Sequence, residues 1–146
     1  MASKAPDFFG THTGWKGLLA NSAGSLFSPM LTPWPEREEM AAACGHKHTP
    51  PAKGCSCGIY ACKTFADLKA NGYNVGYTAN KMLWVVAKLD MWGRYAEGNI
   101  GFRMQFAYPK KVFVPASDLK LGSLIRERYG VKIGIIDRYT GKGAAS

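Results

Sequence analysis

The sequence predicts a single α+β domain: an antiparallel sheet or small barrel, two helices packed on it, and a loop crowded with cysteines closing one side. Three observations point there. Two segments alternate with a period of two, as half-buried strands do. Leu83, Val85, Ala87, Leu89 and Met91 share one face of residues 82–91, and Ile100, Phe102, Met104, Phe106 and Tyr108 share one face of residues 100–108. A count of 17 glycines and an aromatic content of 12% favour strands joined by turns over a helical bundle. All four cysteines fall between positions 44 and 62, in a stretch with little apolar content of its own. The length of 146 residues suits one domain with one sizeable core.

Taken in order, residues 1–14 read as a flexible arm, with Phe8-Phe9 as an anchor. Trp15 to Leu19 is a short first strand, and Asn21 to Ser25 is a turn by composition. Pro29, Pro33 and Pro35 exclude a helix between them. Glu36 to Ala43 consists of good helix formers but spans only two turns, so its state stays open. Thr64-x-x-Asp67 has the form of a capping box for a short helix reaching Ala70, with Asn71-Gly72 as its stop. Gly93–Asn99 is expected as the loop between the two alternating strands, and Pro109 as the end of the second. Val112 to Val114 is a further strand. Ser117 can cap a helix from Asp118 to about Tyr129, with Leu119, Leu124 and Ile125 inward and Gly130 at its C-terminus. Val131 to Ile136 is a last strand. The domain is thus expected over residues 15–138, with a flexible tail at 139–146.

The stretch 44–62 holds Cys44, His46, His48, Cys55, Cys57 and Cys62. The N-terminal residues lack the apolar core of a signal peptide, and no apolar run approaches the ~20 residues that span a bilayer. A cytoplasmic location follows as the expectation. There thiols stay reduced, and clustered cysteines point to metal or redox chemistry. Zinc takes four Cys or His ligands in a tetrahedron. Cys55-x-Cys57 places two thiolates close together between Gly54 and Gly58, while Cys44 and His48 lie upstream across a three-residue spacer, joined by Pro50-Pro51. Such a metal would fix a loop that cannot fix itself. His46 and Cys62 compete for a place in the shell. In an extended segment His46 and His48 face opposite ways, so only one ligates. A closed four-ligand site is structural, and no acid or histidine elsewhere assembles a catalytic set. A thiol or zinc enzyme is the third reading.

The formal charge of +9 is uneven: residues 1–62 carry +1 and residues 63–146 carry +8. A basic half suggests an anionic partner, nucleic acid first. Lys88, Trp92, Arg94, Arg103, Lys110 and Lys111 interleave with aromatics. Rings can stack on bases while Lys and Arg meet phosphates, which suits single strands or RNA.

Several of these residues together resemble a known pattern. Trp34-Pro35, Cys44, His48, Pro50, Cys55-x-Cys57-Gly58-Ile59-Tyr60-Ala61, Trp92-Gly93-Arg94, Gly101-Phe102-Arg103 and Ala107-Tyr108-Pro109 look like a family of small uncharacterised proteins of actinobacteria and their phages. The resemblance covers about residues 14–136. It implies the quartet Cys44, His48, Cys55 and Cys57, because the position of Cys62 is often aromatic there. Relatives carry a His in a Val-Glu-His-type stretch where Tyr95-Ala96-Glu97-Gly98 stand here, so no role for that His carries over. Gly58-Ile59-Tyr60 also looks like the first motif of GIY-YIG nucleases, but no Tyr-Ile-Gly follows. The expectation is a non-enzymatic, zinc-stapled binding module in a bacterial host cytosol, contacting nucleic acid or a host nucleoprotein. The alternative is a phage-encoded adaptor or inhibitor of a host protein. Neither a membrane nor a small-molecule substrate is expected.

Overall fold

The computed structural model describes residues 8–45, 48–52, 54–71, 75, 76 and 78–138. The expected tail and the first half of the expected arm lie outside the described residues. So do His46, Lys53 and Gly72.

Among the described residues eight strands form one mostly antiparallel sheet, and two α-helices pack outside it. The long strands are β1 (Phe8–Ala20), β6 (Met82–Glu97) and β7 (Gly101–Val114), and the shorter β4 (Ile59–Cys62) completes a ring with them. β1 pairs β6 from Phe8↔Tyr95 to Ala20↔Leu83, β6 pairs β7, β7 pairs β4, and β4 returns to β1 at Trp15↔Cys62. The sheet therefore closes as a small barrel. β2 (Leu26–Phe27), β3 (Met40–Ala41), β5 (Thr78–Ala79) and β8 (Lys132–Ile135) extend it. β8 runs parallel to β7, after the crossover through α2 (Leu119–Tyr129). No described helix is long and apolar enough to cross a membrane.

Residues 8–14, expected as loose arm, are strand. Their run of Thr, Gly and His gives no apolar alternation; main-chain pairing with Leu89 to Tyr95 orders them instead. The ambiguous segment 36–43 yields only the two-residue β3, paired to Ala107 and Phe106. The Asn21 turn is as expected: its Oδ1 accepts from Ala23 N and Ser25 N. α1 (Phe65–Ala70) begins on Thr64, whose hydroxyl accepts from Asp67 N at 3.0 Å. Asn80 and Lys81, both at positive φ, make the tight β5–β6 turn.

Two bulges reshape the central hairpin. Gly93 and Arg94 together oppose Gln105, and Lys110 is an extra residue of β7 opposite the Lys88–Leu89 step. Gly93 has φ 93°, and a Cβ there would lie 2.8 Å from Gln105 Oε1. The Gln105 amide oxygen instead accepts from Arg94 N at 3.1 Å. Strand β6 thus continues through residues expected to be loop, and the turn shrinks to 98–100. Pro109 does not end β7, because a bulge is where a proline fits in a ladder.

The same bulges shift the alternation of β7. Phe102 and Met104 point inward, but so do Ala107, Val112 and Val114, each pair of phases separated by an odd step. Phe106 is therefore not core: it turns outward and stacks on Trp92 with ring centroids 6.1 Å apart. Ile100, in the turn, is 45% exposed. On β6 the expected face holds: Val85, Ala87, Leu89 and Met91 are buried with Leu83 packed beside them.

Leu18, Leu26, Trp34 and Ile59 complete the main core, with Ile125 and Tyr129 from α2. Tyr129 ties α2 to the β2 region, its hydroxyl accepting from Leu26 N and donating to Trp34 O. Leu119 is exposed rather than buried, and Ser117 bonds Asp118 without capping the helix. Gly130 ends α2 in the left-handed conformation.

Candidate metal centre and basic aromatic face

The loop between β3 and β4 folds back on the β4–β7 side of the barrel. Pro50 and Pro51 are buried beneath it. Gly58, at φ 121°, lies so close to β7 that a Cβ would sit 3.0 Å from that of Arg103. This approach brings Cys55-x-Cys57 against Cys44 and His48.

The ligand atoms of Cys44, His48, Cys55 and Cys57 all lie within 4.8 Å of one another, and all four residues are half-buried. Cys44 Sγ is 3.7 Å from Cys55 Sγ, and His48 Nε2 is 3.1 Å from Cys57 Sγ. With metal–sulfur bonds of about 2.3 Å, the edge of a tetrahedron is about 3.8 Å. The sulfurs are not bonded to each other; all four cysteines are free thiols. Three soft donors and an imidazole at these separations can hold a metal ion, and they fill a tetrahedron without leaving an open position. Burial pushes the Cys57 thiol up, and Cys55 and Cys44 push it the same way against a hydrogen bond from the Ala52 backbone. Cys62 is elsewhere, on β4 opposite Trp15, packed beside the cluster of Leu68, Val75 and Val86. His12, expected in the arm, lies in β1 between Phe102 (4.4 Å, stacked) and Tyr95 (4.5 Å, edge-on).

Two residues expected at a partner surface, Arg94 and Arg103, make contacts to this loop. Arg103 donates through Nη1 to the carbonyls of Cys55 at 2.5 Å and Cys57 at 3.0 Å. Arg94 Nη2 reaches the Pro51 carbonyl at 3.5 Å. Three thiolates around a divalent ion would leave one net negative charge, which the Arg103 guanidinium on the Cys55 and Cys57 carbonyls would help to offset. Spacing along the chain could not reveal this, because the contacts span 46 and 48 positions.

The remaining basic residues gather elsewhere. Trp15, Lys88, Lys111 and Lys132 are register partners in one row across β1, β6, β7 and β8. Lys88 Nζ lies 5.5 Å from the Trp15 ring centroid, and Lys111 Nζ 5.1 Å from that of Phe113. Trp15 in turn stacks on Phe113 at 5.7 Å and meets Phe65 of α1 at 5.6 Å, over which Lys69 sits at 5.5 Å. Lys110 is exposed and 3.9 Å from Asp90. Trp92 is on the Phe106 stack. The face therefore includes Trp15, Phe65, Lys69, Phe113 and Lys132, which the sequence reading missed. Trp15 and Phe113 are nearly a hundred positions apart, and only the strand register joins them.

Comparison with protein families, with curated proteins and with solved structures finds no match to this chain.

Proposed function

We propose that this protein is a non-enzymatic binding module, stapled by one structural zinc ion and contacting single-stranded nucleic acid through its basic aromatic face. For the metal, the carrying observation is the convergence of Cys44, His48, Cys55 and Cys57 within 4.8 Å. Thiolate-rich donor sets select zinc over the hard cations, and four protein ligands favour a structural over a catalytic role. Zinc supplies folding free energy to such a loop; the chain's part is to hold three sulfurs, one imidazole and the Arg103 guanidinium in place.

For the partner, the carrying observation is the row of lysines over touching rings. Like charges directly opposite in a sheet destabilise it, so Lys88 beside Lys111 beside Lys132 gains from an anionic ligand. Phosphates supply that charge, and the Trp15–Phe113 stack offers rings to unstacked bases. Reduced thiols and the resemblance to actinobacterial and phage proteins support a bacterial cytosol as the setting. The test is fluorescence anisotropy of labelled oligo-dT and oligo-U at several salt concentrations. Affinity should fall steeply with salt, and Lys88→Glu with Lys111→Glu should weaken it and flatten the slope by about 1.4, at about 0.7 per phosphate contact. Binding that ignores salt and both substitutions, or none to any oligonucleotide, would overturn this reading and favour a protein partner.

A further inference from the structure

After Trp15↔Cys62, β1 leaves β4, and it does not meet β2 until Leu19↔Phe27 and Ala20↔Leu26. A cavity of about 580 Å³ lies at this opening, within the usual range for small-molecule sites of roughly 300–1,000 Å³. Trp15, Leu68, Trp84, Ile100 and Phe102 make much of its wall. Lys16 also lines it, at a position in step with the buried Gly14 and Leu18. Its ammonium donates to the Tyr60 carbonyl at 2.8 Å. An ammonium carries three donors, and among the described residues it has no other hydrogen-bond acceptor and no carboxylate partner. Glu97 reaches the same cavity, but its carboxylate is held by Lys63 at 2.6 Å. Burial lowers the Lys16 ammonium to about 8, with neighbouring Cys62 opposing the shift, so it remains mostly charged at pH 7. The Cys62 thiol, raised by burial, is neutral there and supplies no counter-charge. A cation among apolar walls without a counter-ion is unfavourable, and a bound anion relieves it.

We propose that this cavity is a binding site for a small apolar monocarboxylate, its ring or chain lying among Trp15, Trp84 and Phe102 and its carboxylate on the Lys16 ammonium. No motif along the chain announces such a ligand, and the expectation of no small molecule gives way here to the cavity itself. The site shares Trp15 with the basic face but depends neither on zinc nor on nucleic acid.

The test is titration of the full-length, metal-loaded protein with 2-naphthoate at pH 7, read by tryptophan fluorescence and calorimetry, with 2-naphthalenemethanol as the neutral counterpart. Naphthoate should bind saturably. The alcohol, or naphthoate on Lys16→Met, should bind at least about tenfold more weakly, the order of one charge-assisted hydrogen bond. Naphthoate binding should also weaken as pH rises through 8. In the unsubstituted protein, naphthoate should protect Lys16 from acetylation, read by peptide mass spectrometry, which keeps the test independent of the variant's folding. Equal binding of the alcohol, undiminished binding to Lys16→Met, or unprotected Lys16 at saturating naphthoate would each overturn the proposal.

Discussion

Replacing Arg103 by Ala removes the two hydrogen bonds that fix the carbonyls of Cys55 and Cys57. Hydrogen bonds to a charged group contribute about 1.5–3 kcal/mol each, and these are half-buried, so the lower end applies. The pair then stabilises the closed loop by about 3 kcal/mol. Not all of that passes to the metal, because the free loop also loses its order. A loss of 10–100-fold in zinc affinity is the expectation, in line with removal of an outer-sphere partner. Competition against a chromophoric chelator at pH 7 measures it, and circular dichroism checks that the barrel persists. Arg103→Lys should recover part of the loss: both bonds leave the single nitrogen Nη1, and an ammonium has donors enough for both carbonyls but lacks the planar guanidinium that fixes their direction. Zinc affinity unchanged in Arg103→Ala would refute the role assigned to this residue and return it to the partner surface.

Other outcomes follow from the same geometry. Cys57→Ser should abolish stoichiometric metal binding while Cys62→Ser leaves it intact, as measured by elemental analysis; equal effects would break the ligand assignment. Phe102→Ala, in the core at 8% exposure, should cost about 3–5 kcal/mol in denaturant unfolding, whereas Phe106→Ala loses mainly its stack on Trp92 and should cost about 1 kcal/mol. Lys16 has a folded-state pKa of about 8 against the ordinary 10.5. Its partly desolvated charge, on a half-buried side chain, therefore destabilises the fold below pH 8, and the penalty fades as pH rises from 8 to 10.5, where the unfolded chain still holds the proton. Lys16→Met should raise stability at pH 7 by about 1–3 kcal/mol, with the gain shrinking above pH 8; a destabilised variant at pH 7 would contradict the burial argument.

The antiparallel sheet, both helices and the clustering of metal ligands were legible because each rests on local pattern. Alternation announced Val85 to Met91, and the Thr64 capping box announced α1. Spacing brought forward Cys44, His48, Cys55 and Cys57, while the resemblance favoured them over Cys62. What escaped was non-local. A bulge at Gly93–Arg94 inserts one residue into β6, and no periodicity count on β7 registers an insertion in its partner, so Phe106 was placed inside and Ala107 outside. Residues 8–14 carry too few apolar side chains to read as strand, although β6 pairs with every one of them. Arg94 and Arg103 looked like surface cations because charge along a strand says nothing of the loop that folds over it. Trp15 and Phe113 became neighbours only through β6 between them.

X-ray absorption at the zinc edge, on protein purified without chelators, reads the ligand shell of Cys44, His48, Cys55 and Cys57 itself. The expected spectrum is that of a single zinc ion per chain with three sulfur neighbours at about 2.3 Å and one nitrogen at about 2.0–2.1 Å. Absence of metal, or a shell dominated by oxygen, would contradict it.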